Sequence, residues 1–216
     1  RSNAKPERRV SLRLVVRAGS VDEDDDQLGM AHFVEHMCFN GTAHFPKNDL
    51  VHYLQSVGVN FGPEINGYTS FDRTVYMLDL PTDRDAILSN GFLIMRDWAG
   101  AVTFDPAERA QERGVVLEEW RIGQGAGDRA GRALLAALWT DSKYAQRYPI
   151  GTRESILGCP RPAVVRYYKD WYRPDLMAFA VVGDLDPASI EARVRAAFAG
   201  LRAPARPRPK RVYPMP

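Results

Sequence analysis

The chain has 216 residues, of which 45% are hydrophobic and 26% charged; that is the composition of an ordinary globular domain with room for a core, and it excludes a disordered or fibrous chain. A net charge of +2, with basic residues not interleaved with aromatics along one face, gives no basis for nucleic-acid binding. No stretch approaches the apolar length of a membrane span, and the two cysteines, Cys38 and Cys159, lack the C-x-x-C spacing of a metal or redox site.

Residues 8–18 alternate, with Val10, Leu12, Leu14 and Val16 on one side and Arg9, Ser11, Arg13 and Arg17 on the other, which reads as a half-buried strand ended by Gly19. The acidic run Asp22-Glu23-Asp24-Asp25-Asp26 reads as a solvated loop leading into a helix whose positive end it meets. A calcium site is conceivable there, although EF-hand spacing is absent. The helix, from about Leu28 to Asn40 with Gly41 as its stop, carries His32-Phe33-Val34-Glu35-His36. Residues four apart share a helical face, so the two imidazoles can converge on one ion with Glu35 beside them. Taken alone, the same pair could be polar residues bordering a core. Cys38, on the same helix, reads as a small buried hydrophobe.

Asn48 or Asp49 can cap a short helix from Leu50 to Val57. Residues 59–70 and 72–80 read as neighbouring strands, and the glycines and Pro63 allow an edge position to which an extended peptide could add. Ala86 to Trp98 has a core-facing helical stripe. Asp105-Pro106-Ala107-Glu108 is a strong helix start, and that helix runs through Arg121. Catalytic zinc usually takes three protein ligands and leaves a fourth position open, so two histidines require a carboxylate from elsewhere. Glu112 and Glu119 lie seven residues apart and can both face the histidine helix, while Glu118 is a competitor turned about 100° away. Without the histidines, these acids would read as a solvated helix face.

The glycine-rich segment 123–128 has no preceding strand and no G-K-[ST], and reads as a mobile connection. Helices follow from about Arg129 to Trp139 and from Pro160 to Tyr172, then a buried strand over Leu176–Asp184 and a helix from Asp186-Pro187 to about Ala199. Residues 204–216 are rich in Pro and Arg, which suits an extended linker or tail after a domain spanning 1–203.

The order H-x-x-E-H is the inverse of the common zincin motif and marks the inverzincins. With Gly29-x-Ala31-His32-Phe33-x-Glu35-His36-Met37-x-Phe39-Asn40-Gly41-Thr42, Asn66-Gly67-Tyr68-Thr69-Ser70, Glu112-Arg113-Gly114-Val115 to Glu119, Trp171-Tyr172-x-Pro174 and Val182-Gly183-Asp184, the chain resembles the pitrilysin/insulinase family of zinc metallopeptidases. The resemblance implies a single pitrilysin-like domain of α+β class, a mostly antiparallel sheet packed with helices on one face. It implies Zn2+ held by His32, His36 and Glu119, the last being the second acid of E-R-x-x-x-x-x-E. Glu112, the first acid, joins the catalytic set as a support of the site, and Glu35 is the general base toward a water on the metal. Asn66 and Gly67 become substrate-binding residues on an edge strand, where Asn66 could otherwise be a turn residue. Gly67 replaces the family's usual alanine, which loosens the strand.

The activity so implied is endopeptidase cleavage of extended peptides or small proteins. Family peptidases are built of two homologous halves, so the chain resembles the metal-binding half and is expected to need a second half, in the same longer chain or as a partner subunit, for more than weak cleavage. A non-catalytic binding or structural subunit of the same family is the alternative, and a metal-storage or sensing module a third reading. Resemblance to bacterial relatives favours the periplasm or cell envelope.

Overall fold

Four strands form one antiparallel sheet, β1 (Arg9–Val16), β2 (Ile65–Thr69), β3 (Thr74–Pro81) and β4 (Met177–Gly183), in the order β2-β3-β1-β4, with the alternation of apolar and polar residues clearest in β1. The computed structural model describes residues 5–214; Arg1 to Ala4, and Met215 and Pro216 at the end of the expected tail, lie outside it. On one face of the sheet Val10, Leu12, Leu14 and Val16 of β1 and Tyr76, Leu78 and Leu80 of β3 are buried. The other face is polar at its centre, where Asp79 accepts from Ser11 Oγ at 2.7 Å and from Arg13 Nη1 at 2.7 Å.

The helices are α1 (Met30–Phe39), α2 (Asp49–Ser56), α3 (Asp85–Gly100), α4 (Pro106–Ile122), α5 (Ala126–Leu138), α6 (Lys143–Gln146), α7 (Arg153–Gly158), α8 (Arg161–Trp171) and α9 (Pro187–Phe198). Helices α1, α3 and α8 join the apolar face of the sheet in one core that includes Phe33, Met37, Trp98, Tyr167 and Trp171. The molecule is therefore the expected α+β fold with helices on one face.

Three local expectations need correction. The run Leu176–Asp184 is not a buried strand: among the described residues β4 pairs with β1 alone, at the edge of the sheet. Phe179 packs on Phe92 and Phe198, while Ala178, Ala180 and Val182 on the opposite side are exposed. Small apolar residues on an open face make a half-covered strand look like a buried one. The glycine-rich connection is shorter than expected, because α5 already begins at Ala126 and Arg132 donates to Gly123 O at 2.8 Å.

The acidic run is a solvated loop only in part: Asp25 and Asp26 are exposed, but the rest is not. It contributes to two 3-10 turns, Ser20–Asp22 and Asp25–Gln27, and Asp22 and Glu23 are buried. Its members meet cations from distant parts of the chain. Asp25 pairs with Arg147, Asp26 with Arg166 at 2.6 Å, Asp24 with Arg208 at 2.5 Å, and Asp22 with Lys210. Arg208 and Lys210 belong to the Pro/Arg-rich segment, which has no regular secondary structure and lies along this run, both cations also sitting over the Trp171 ring.

Candidate metal centre

Helix α1 begins where a left-handed residue is needed. Gly29 has φ +81°, and a Cβ there would sit 2.9 Å from Ile150 O, so glycine is required on both counts. The first-turn amides find an acceptor in buried Glu23, whose Oε2 takes the Gly29 N–H at 3.1 Å and whose Oε1 takes the Ala31 N–H at 2.8 Å. At the other end Trp98 Nε1 donates to Cys38 O at 2.8 Å. Phe33, Val34, Met37 and Cys38 are buried, each large apolar side chain among them contributing about 1.5–3 kcal/mol. This leaves His32 and His36 on the face turned to α4. Cys38 donates to Tyr76 Oη at 3.1 Å, and burial pushes its thiol pKa up, so it is an inert core residue.

Helix α4 starts as its sequence requires, with Asp105 accepting from the Ala107 and Glu108 amides at 2.8 and 3.2 Å and Pro106 in the first turn. Arg109 donates to Cys159 O at 3.0 Å, fastening α4 beside α7. Glu112 and Glu119, two turns apart, both face α1. Glu118 faces away and pairs with Arg121 at 2.5 Å, so it does not compete for the site.

Three ligand atoms converge. His32 Nε2 lies 3.2 Å from His36 Nε2, Glu119 Oε2 lies 3.4 Å from His36 Nε2, and Glu119 Oε2 lies 3.6 Å from His32 Nε2. A tetrahedral ion with bonds of about 2.0–2.2 Å spaces its ligand atoms by about 3.3–3.6 Å. The three distances therefore match the edges of a zinc tetrahedron, and among the described residues this trio forms a group able to hold a metal ion. Two nitrogens and one carboxylate oxygen are also the donor set that suits zinc.

Glu112 stands behind His36, its Oε1 accepting from Nδ1 at 2.6 Å. That bond keeps a proton on Nδ1, so that when His36 gives up its other proton it is the Nε2 lone pair that faces His32 and Glu119. Burial alone would depress His36, but the hydrogen bond to Glu112 and the carboxylate of Glu119 outweigh it and raise its pKa to about 10. Burial and the neighbouring His36 charge lower His32 to about 4, so His32 is neutral at physiological pH. Glu119 is held below the usual carboxylate range by its contact with His36.

Glu35 is buried beside the trio, and burial raises its pKa, opposed by a hydrogen bond from Thr69 Oγ1 to Oε2 at 2.6 Å. Gly67 explains how the carboxyl group fits. A Cβ at that position would lie 2.8 Å from Glu35 Oε1, so glycine leaves room for Glu35 against the strand. Strand β2 pairs with β3; on its other edge Ile65 is bridged to Phe61, and beyond Ile65 no further strand pairs with that edge among the described residues. Its register turns Ile65, Gly67 and Thr69 toward the helices, and hence Asn66 and Tyr68 to the opposite face. The Asn66 side chain is used locally, accepting from the Gly67 N–H at 2.8 Å and donating to Gly62 O at 3.3 Å, although the residue still borders the site.

A cavity of about 600 Å³ opens over His32, Glu35, His36 and Glu119, with apolar walls from Phe39, Phe61, Phe71, Leu135, Tyr148 and Ile150. The sequence reading thus brings His32, His36, Glu119, Glu35 and Glu112 into one centre. It does not turn the Asn66 side chain toward that centre. It missed Thr69, whose signal was available: on an edge strand, Gly67 and Thr69 share the parity of the buried Ile65.

The pattern of the insulinase family, peptidase family M16, matches residues 1–147, and that of the peptidase M16 inactive domain matches residues 160–216. The chain is 40% identical over 184 residues to the "Probable zinc protease PqqL" of Escherichia coli, covering 85% of this chain and 20% of that protein. It is 35% identical over 217 residues to the "Zinc protease PQQL-like" of Arabidopsis thaliana, covering 100% of this chain and 23% of that protein. In three dimensions it is similar to the crystal structure of the first half of the periplasmic protease PqqL from Escherichia coli, with a TM-score of 0.94 and 37% identity, covering 100% of this chain and 46% of that one. The chain therefore spans about a fifth of the length of the curated relatives it matches.

Proposed function

The chain belongs to the insulinase family of peptidases, M16, and from that premise we propose that it is the metal-binding part of a zinc-dependent endopeptidase acting on extended peptides or small proteins. The observation that carries this reading is the tetrahedral spacing of His32, His36 and Glu119 on the floor of a cavity that also holds Glu35. Zinc, when bound, supplies Lewis-acid chemistry, lowering the pKa of water and polarising a peptide carbonyl.

The chain's own residues do the rest. Glu112 fixes the His36 tautomer and ring orientation without touching the reacting atoms. Glu35 accepts the proton of the attacking water and returns it to the leaving amine, a task for which a buried carboxyl group with raised pKa is suited. The edge of β2 beyond Ile65 offers backbone groups to an extended peptide, which would bind as an added strand, and Asn66 shapes that edge by accepting the Gly67 N–H. Substrate contacts from a second homologous half complete the site, in keeping with the length of the relatives. The periplasm, where the similar Escherichia coli protease is described, is the proposed location.

The test is cleavage of a quenched fluorogenic peptide by zinc-loaded protein, with and without the rest of the longer chain. Cleavage that needs both zinc and the second half supports the reading; a zinc-loaded longer protein that cleaves no peptide overturns it. Robust turnover by the isolated 216-residue chain would contradict the need for a second half.

A further inference from the structure

The hydrogen bond between Thr69 and Glu35 joins the edge strand to the acid next to the metal ligands, and among the described residues neither side chain makes another side-chain hydrogen bond. Thr69 Oγ1 occupies Glu35 Oε2 at 2.6 Å, while Oε1 has no hydrogen bond among the described residues and lies against the bare α-carbon of Gly67. The two oxygens of Glu35 are thereby made unequal. We propose that Thr69 is the positioning residue of Glu35: its hydroxyl holds Oε2, leaves Oε1 as the proton acceptor, and ties the orientation of the base to strand β2.

This inference rests on the endopeptidase reading above. The register of β2 turns the Thr69 side chain inward, whereas a peptide adding to the strand meets the outward backbone groups. Thr69 borders the same cavity as Glu35, but its hydroxyl is committed to Glu35, so it acts through Glu35 and not on the peptide. A general base misplaced by about an ångström loses on the order of a hundredfold in rate, whereas peptide affinity set by backbone hydrogen bonds does not change. Gly67 has a matching part, since its missing Cβ is what admits Oε1 to this seat.

The experiment uses the full-length, zinc-loaded protein. Thr69→Val keeps the shape and removes the hydroxyl; Thr69→Ser keeps the hydroxyl. The expected result is a fall in kcat of about tenfold or more for Thr69→Val, with KM within about twofold, and kcat within about threefold of wild type for Thr69→Ser. In the non-cleaving Glu35→Gln background, adding Thr69→Val should leave zinc content and the affinity for an uncleaved fluorescent peptide, read by anisotropy, unchanged.

Undiminished turnover by Thr69→Val overturns the proposal, as does a loss of peptide affinity, which would make Thr69 a substrate contact. Equal damage in Thr69→Ser, or loss of zinc, would show a merely structural role and also overturn it. The wild-type control separates the two readings: if it takes up zinc and cleaves nothing, the endopeptidase reading fails and the positioning role fails with it; if it cleaves, the Thr69 variants judge the positioning role alone.

Discussion

Replacing Glu112 by alanine should weaken zinc binding without disturbing the fold. The carboxylate accepts from His36 Nδ1 at 2.6 Å and is mostly buried, with a side-chain exposure of 12%. Two effects oppose each other. Glu112 stabilises the protonated imidazole that competes with zinc, and it also orients the ring and adds negative charge behind a ligand of a dication. The dication carries twice the charge of the proton, so the second effect wins, and loss of such a partner typically weakens metal binding by about 10- to 100-fold, or about 1.4–2.7 kcal/mol.

The assay is a competition titration of zinc against a chromophoric chelator at fixed pH, with Glu118→Ala as the control, since Glu118 faces away and pairs with Arg121. The pH dependence carries a further sign. His36, raised to about 10, must lose its proton to bind zinc, so apparent affinity should rise with pH toward 10, by at most about tenfold per unit from this group. His32 is shifted the other way, by burial and by the neighbouring His36, so His36 dominates this dependence. The same shift makes the metal-free fold lose stability as pH rises: the folded pKa of His36 lies above its unfolded value of 6.5, so its contribution is complete below 6.5 and gone by about 10. Glu112→Ala should flatten both slopes. A variant that binds zinc as tightly as wild type, with an unchanged pH slope, would refute the reasoning.

Other outcomes follow from the supports of α1 and the acidic run. Glu23→Ala strands the buried Gly29 and Ala31 amides, at about 1–3 kcal/mol each, and should lower the melting temperature by roughly 10 °C in a thermal scan. Gly29→Ala forces a side chain into the left-handed region, about 1–2 kcal/mol, and against Ile150 O, so a melting temperature equal to wild type would contradict the description of this cap. Lys210→Ala removes the cation facing buried Asp22, at about 3 kcal/mol. Burial already raises the Asp22 pKa despite Lys210, and losing the cation raises it further. The folded state then holds a proton that the unfolded chain releases above 3.8, so the destabilisation should be small near pH 4 and grow as pH rises; a pH-independent effect in parallel melts would count against it.

Much of the centre could be read directly from sequence because its information is local. His32 and His36 are one turn apart, and Asp105-Pro106 announces the start of α4, so the faces of both helices follow from helical periodicity. That Glu119 and not Glu118 is the third member came from resemblance, and the structure shows the physical reason in the Glu118–Arg121 pair. The acidic run was misread in part because its partners Arg147, Arg166, Arg208 and Lys210 lie more than a hundred residues away, and nothing in Asp22–Asp26 itself signals them. Helices α6 and α7 are only 4 and 6 residues long, too short to carry periodicity. The apolar run of β4 cannot by itself distinguish a central strand from an edge strand, because that depends on pairing order. Asn66 was assigned its role by type, whereas its orientation is set by the register against β3.

The most direct test of the account is zinc K-edge X-ray absorption on the zinc-loaded chain, because it reads the centre without requiring substrate or a second half. The account expects about one zinc per chain with two imidazole nitrogens and oxygen ligands at about 2.0–2.2 Å, and loss of nitrogen scattering in His32→Ala. A sulfur ligand, a shell of oxygens alone, or an unchanged spectrum in His32→Ala would contradict it.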